Sequence, residues 1–200
     1  MSLIRGKKLE RDFYLQDTIF VAQNLLGKHL YRRYRGKYLI GKIVETEAYR
    51  EDDPASHTYN GKTQRNEVMY WTGGHLYVYF TYGMHYCCNV VTEVEGRGCA
   101  VLIRAVEPLE DIKTMMKFRN FSNNVKIYNL TNGPAKVCQA FAITKKDNGK
   151  DLCEDEIFIV DSNIRLNNDE IERAKRIGIK DGLEKQWRFY IKNSLWVSKG

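Results

Sequence analysis

Leu76-Tyr77-Val78-Tyr79-Phe80-Thr81-Tyr82-Gly83-Met84-His85-Tyr86-Cys87-Cys88-Asn89-Val90-Val91 is the stretch whose reading decides the fold. Two runs rich in β-branched and aromatic residues flank Tyr82-Gly83, and Gly83 supplies positive φ at no steric cost, so the simplest geometry is a β-hairpin turning there. Period two puts Tyr77 and Tyr79 on one face, whereas Tyr82 has the opposite parity and falls at the tip. A large aromatic at an exposed tip has two readings: it folds back onto the sheet, or it is a wedge that inserts between stacked bases.

Upstream, Ile43-Val44-Glu45-Thr46-Glu47-Ala48-Tyr49 carries strand periodicity with Ile43, Glu45, Glu47 and Tyr49 on one face. Two carboxylates side by side are either ion-pair partners for the many Arg and Lys or the chemistry of a site. The polar segment from Arg50 to Gly74, punctuated by Pro54, Gly61, Gly73 and Gly74, reads as a loop that brings His57 back over the strand bearing Glu47. Before it, Asp17 or Thr18 caps a helix carrying Phe20, Val21, Leu25 and Leu26 until Gly27 stops it, and a hairpin turns at Arg35-Gly36-Lys37.

Downstream, a strand from Cys99 to Val106 continues an antiparallel meander with Arg104 inside an otherwise apolar run. A buried Arg needs an anionic or carbonyl partner, so Arg104 is either a structural ion pair with Glu45 or a pocket contact. Pro108, followed by Glu110 and Asp111, marks the start of a helix with Leu109, Ile112 and Met116 inward, and Gly133-Pro134 opens another. A short strand over Ile157 to Val160 and a helix near Glu170 to Ile177 complete the expected elements.

Two hundred residues, 43% of them hydrophobic, suit one domain with a single core. A net charge of +7 favours a polyanionic partner without requiring one. The scattered cysteines at 87, 88, 99, 138 and 153 form no C-x-x-C pair and no zinc spacing with the four histidines; Cys87, Cys88, Cys99 and Cys138 read as small core residues, with no metal expected. Met1 to Arg11 lacks an apolar leader-like run, and no apolar stretch reaches membrane-spanning length. An intracellular, soluble protein is expected, in the cytoplasm (nucleoid) if bacterial and in the nucleus if eukaryotic.

Taken in order, Glu45-Thr46-Glu47-Ala48-Tyr49, Asp53-Pro54-Ala55-Ser56-His57, Arg65-Asn66, Leu76-Tyr77-Val78-Tyr79, Tyr82-Gly83-Met84, Asn89, Leu102 to Pro108, Gly133 to Ala140, Arg188-Phe189-Tyr190 and Trp196-Val197-Ser198 resemble the alkyladenine (3-methyladenine) DNA glycosylase family. The resemblance spans nearly the full length. It implies a single α+β domain over residues 1–200, similar to a formyltransferase C-terminal domain: a curved antiparallel β-sheet with a protruding β-hairpin, surrounded by helices. Tyr70-Trp71-Thr72 and Gln64 depart from the family pattern but touch no implied catalytic residue.

The implied activity is base excision repair. A damaged purine (3-methyladenine, 7-methylguanine, hypoxanthine or ethenoadenine) leaves the stack of double-stranded DNA, and its N-glycosidic bond is hydrolysed to an abasic site with no lyase step. By the same resemblance Glu47 is the general base, Tyr49, His57 and Tyr79 stack on the base, Asn89 clashes with the 2-amino group of guanine, and Arg104 lies near the base. Tyr82 intercalates, and Lys62, Arg65, Met84 and Lys136 contact the DNA backbone. Electron-rich rings favour a cationic alkylpurine by about 1 to 2 kcal/mol. No cofactor, no membrane and a monomer are expected. Two rival readings fit the residues less fully: a basic, non-enzymatic nucleic-acid-binding module using the same tyrosines as stacking platforms, and a glycosidase of free nucleosides.

Overall fold

One long strand, Lys37–Tyr49, forms the spine of the molecule, and the rest of the sheet is laid along its two edges. The computed structural model describes residues 6–199 apart from Tyr82 and Asn123. In chain order the described strands are β1 (Lys7–Lys8), β2 (His29–Tyr34), β3 (Lys37–Tyr49), β4 (Leu76–Thr81), β5 (His85–Val91), β6 (Ala100–Glu110), β7 (Ile157–Asp161), β8 (Ile171–Ala174) and β9 (Arg188–Ile191). They form an antiparallel sheet in the order β1-β7-β2-β3-β6-β5-β4, so the expected meander runs from β3 through β6 and β5 to β4.

β3 is long enough to serve two neighbours on one edge. Its first half pairs with β2, from Lys37↔Tyr34 to Lys42↔His29, and its second half pairs with β9 at Glu45↔Tyr190 and Glu47↔Arg188. β6 covers the other edge, with irregular register near Ile43 and Glu45, the kind of bulge that bends a strand and re-aims its side chains. The chain's last strand is thereby set directly beside both carboxylates.

The helices are α1 (Arg11–Tyr14), α2 (Thr18–Asn24), α3 (Ile112–Phe118) and α4 (Pro134–Ala140). Asp17 caps α2, its carboxylate accepting from the N–H groups of Ile19 at 2.9 Å and Phe20 at 3.1 Å. Val21, Leu25 and Leu26 are buried as the periodicity requires, but Phe20 points outward, 48% exposed. α2 packs on β3, and α4 packs on β5 and β6. Between helices and sheet lies the main core, with Tyr14, Leu25, Ile43, Ile103 and Phe141 fully buried. Cys87, Cys88, Cys99 and Cys138 are buried free thiols. No helix among the described residues is long and apolar enough to cross a membrane.

Two expected helix boundaries are corrected. Pro108 does not open a helix: β6 runs on to Glu110, with Pro108 opposite Gly41 where the register slips, a position at which the missing N–H is tolerated. α3 begins only at Ile112, and Leu109 is 43% exposed rather than inward. The helix expected near Glu170 to Ile177 is instead a short 3-10 turn, Asn168–Glu170, followed by β8, whose residues pair with β9. Cross-strand pairing with a distant segment overrides the local helical pattern there.

Candidate active site

β4 and β5 form the expected hairpin, in register from Leu76↔Val90 to Thr81↔His85. Gly83 has φ +66°, the left-handed conformation that placed the turn there, and Met84 beside it is 68% exposed. Tyr82, the expected wedge, lies outside the described residues. Tyr77 and Tyr79 share one face, their rings stacked at 5.6 Å, and the His57 ring meets Tyr79 edge-on at 4.6 Å.

The loop holding His57 is a built structure rather than a slack connection. Asn66, itself buried, donates to the carbonyls of His57 at 2.7 Å and Gly61 at 3.0 Å, and Thr58 Oγ1 donates to the Gly98 carbonyl at 2.6 Å. His57 is brought back over the sheet as expected, where Nδ1 meets the Tyr77 hydroxyl at 3.1 Å. Burial, aided by the Arg65 charge, pushes its pKa below the usual imidazole value, so the ring is neutral at pH 7.

These elements enclose a cavity of about 330 Å³. Every expected base-pocket residue lines it: Tyr49, His57, Tyr79, Asn89 and Arg104. Arg65 lines it too, although the sequence pointed only to a backbone contact, and its guanidinium reaches the Phe80 carbonyl at 3.4 Å. Lys62 is exposed, with Nζ 5.9 Å from the Tyr70 ring. Lys136 is turned to the Asn132 side chain at 2.6 Å. Asn89 is buried between Tyr77 and Leu102 in the sheet, its amide donating to the Tyr77 carbonyl at 3.3 Å.

Glu47 stands immediately behind this cavity, 0% exposed. Its Oε2 accepts from the Tyr49 hydroxyl at 2.8 Å, and its Oε1 accepts from the Ile177 N–H at 2.7 Å and faces Arg104 Nη1 at 3.2 Å. All three donors belong to residues that line the cavity, so the carboxylate and the cavity share one wall. Burial first, then the neighbouring Glu47 charge, holds the Tyr49 phenol well above its ordinary pKa, which keeps it a neutral donor to the carboxylate. Burial also drives the Tyr79 phenol far upward and the Cys87 thiol up to about 11, so neither ionises near neutral pH.

Glu45 lies on the same side of the sheet but is otherwise occupied. It accepts from Arg188 Nε at 2.6 Å and from the Ser198 N–H and hydroxyl at 2.7 and 2.8 Å. Arg104 spans the two acids, with Nε 3.3 Å from Glu45 and Nη1 facing Glu47, so both readings of this buried arginine hold at once. Burial works against the Arg104 charge, and the Glu47 and Glu45 carboxylates outweigh it, lifting its pKa above the ordinary value. Two acids on one side of a sheet, tied by one arginine, do not flank a sugar from opposite faces as a glycosidase pair does.

Four contributors receive no site role from the sequence. Tyr77 was recognised only as a face-mate of Tyr79, and its hydroxyl hydrogen-bonds to His57. Ile177 reaches Glu47, Ser198 reaches Glu45 and Arg176 reaches Asp53 across sequence separations of 123 to 153 residues, for which no local periodicity exists.

The chain is similar to known proteins along nearly its whole length. The Methylpurine-DNA glycosylase (MPG) family model matches residues 12–195. A protein of Carboxydothermus hydrogenoformans named "Putative 3-methyladenine DNA glycosylase" is 49% identical over 191 residues, covering 96% of this chain and 98% of its own. Proteins of the same name from Clostridium novyi and Francisella tularensis subsp. tularensis are each 48% identical, covering 96% and 91% of this chain and 99% and 94% of theirs. The class is that of the DNA repair hydrolases that act as DNA glycosylases. This chain belongs to the methylpurine-DNA glycosylase family.

Proposed function

We propose that this chain is a monofunctional DNA-3-methyladenine glycosylase that hydrolyses the N-glycosidic bond of alkylated and deaminated purines, with Glu47 as the general base. The observation that carries the reading is the Glu47 carboxylate held behind an aromatic cavity by three donors, each from a residue of the cavity wall. A purine turned out of the duplex stacks against Tyr49, His57 and Tyr79, at an unstacking cost of roughly a few kcal/mol. For 3-methyladenine or 7-methylguanine the neutral His57 and the neutral phenols add cation–π attraction without charge repulsion. Tyr82 fills the gap left in the stack, while Met84, Lys62, Arg65 and Lys136 meet the backbone.

Glu47 orients a water against the anomeric carbon and stabilises the oxocarbenium-like transition state, while Arg104 balances the charge of the two neighbouring acids. Among the described residues no lysine lines the cavity, which supports hydrolysis to an abasic site without a lyase step. The whole of residues 1–200 acts as one glycosylase domain, as a monomer. The test is a duplex containing one hypoxanthine, incubated with the protein and then treated with alkali. Cleavage at the lesion only after alkali supports the reading; binding without base release supports a non-enzymatic module, and activity only on free nucleosides supports the third reading.

A further inference from the structure

Behind the cavity lies a second buried ion pair for which the proposed chemistry has no direct use. Arg176 and Asp53 have fully buried side chains; Arg176 Nη1 contacts one Asp53 oxygen and Nη2 donates to the other at 3.0 Å. Burial alone would raise the Asp53 pKa, but the Arg176 hydrogen bond and charge leave it below its ordinary value. The same guanidinium donates to the Ala48 carbonyl at 3.0 Å and the Gly182 carbonyl at 3.4 Å, and lies 4.8 Å from the Tyr49 ring centroid and 5.3 Å from that of Trp187. Gly182 is left-handed, φ +65°, and a Cβ there would lie 2.7 Å from Asp53 Oδ1 and 3.0 Å from Arg176 Nη2, so the backbone closes on the pair only because no side chain intervenes.

Arg176 therefore joins three walls: β3 through Ala48 and Tyr49, the His57 loop through Asp53, and the 176–182 segment to which it belongs. Two of the three donors on Glu47 come from residues it holds, since Ile177 is its chain neighbour and Tyr49 carries its ring on the guanidinium. Arg176 itself does not line the cavity. We propose that Arg176, clamped by Asp53 and Gly182, is a positioning residue that fixes the Ile177 N–H and the Tyr49 hydroxyl on the Glu47 carboxylate. The proposal rests on the reading of Glu47 as the base.

The test compares Arg176→Lys, Asp53→Asn and Gly182→Ala, which approach the clamp from three different residues. Single-turnover excision of hypoxanthine at saturating protein is measured beside affinity for the lesion duplex and melting temperature. Each folded variant is expected to lose on the order of 10- to 100-fold in rate while duplex affinity stays within a few-fold, because misplacement acts on the chemical step more than on binding. Asp53→Asn combined with Arg176→Lys should be no slower than the slower single variant, because the two side chains act as a unit.

Arg176→Lys and Gly182→Ala keep every charge, so they also isolate the donor effect. Rates near wild type in folded variants would overturn the proposal, as would rate losses that merely follow melting temperature. Loss of duplex binding together with excision in all three would overturn it too, since the clamp would then hold the domain rather than Glu47. If Glu47→Gln itself excises normally, the reading of Glu47 fails; if Glu47→Gln is dead while the clamp variants are normal, only this proposal fails.

Discussion

Replacing Glu45 with Gln separates the structural acid from the chemical one. Glu45 is fully buried, accepts from Arg188 and from two groups of Ser198, and pairs with Arg104, so the substitution removes one negative charge from a cluster of two acids and two arginines. The amide also turns an N–H₂ toward a set of groups in which only the Ser198 hydroxyl can accept. Removing one partner of a buried ion pair costs about 3–5 kcal/mol. For a domain of this size each kcal/mol lowers the melting temperature by about 2–4 °C, so the expected loss is roughly 6–20 °C. Circular dichroism melting measures that loss, and single-turnover excision well below the lowered midpoint measures the chemistry. A Glu45→Gln protein that melts within about 2 °C of wild type would refute this energetic reasoning. A normal melt with abolished excision would show that the wrong acid has been chosen.

Two further outcomes follow from the same geometry. Asn89→Ala opens the cavity beside Leu102 and gives up one weak buried hydrogen bond, so stability falls by about 1 kcal/mol while the rate on mismatched guanine rises on the order of 10-fold relative to hypoxanthine; an unchanged ratio of single-turnover rates in a folded protein would demote Asn89 to hairpin structure. The folded-state pKa of Asp53 lies below the ordinary 3.8, so its contribution to stability is complete above that value and is lost as pH falls below it toward the folded value. The melting-temperature gap between wild type and Asp53→Asn should therefore be constant from about pH 7 to 5 and narrow below about pH 4, and a gap that widens on acidification contradicts the sign.

The parts of the molecule that repeat with a local period were legible before the structure. The hairpin over Leu76–Val91, the parity of Tyr77 and Tyr79 and the shared side of Glu45 and Glu47 all come from alternation along a strand. Arg104 was legible by contrast, as a charge inside an apolar strand that had to find an anion. Pro108 misled because its preference for a helix start gave way to a slipped register in β6, and Glu170 to Ile177 misled because β9 offers that segment a strand partner. Arg176 and Ile177 carry no mark in their neighbourhood; their roles exist only once Asp53 and Glu47, more than a hundred residues earlier, are brought beside them.

The central claim is that Glu47 performs the chemistry, and Glu47→Gln tests it most directly. Gln keeps the volume and one oxygen for the Ile177 N–H and Arg104, and the Tyr49 hydroxyl can accept where it now donates, so the shape of the site survives while the charge lost opposite Arg104 lowers the melting temperature. The account predicts a folded protein that binds a hypoxanthine duplex with near wild-type affinity and whose single-turnover excision rate falls by at least about 100-fold. A folded Glu47→Gln protein that releases hypoxanthine at a rate within a few-fold of wild type would contradict it.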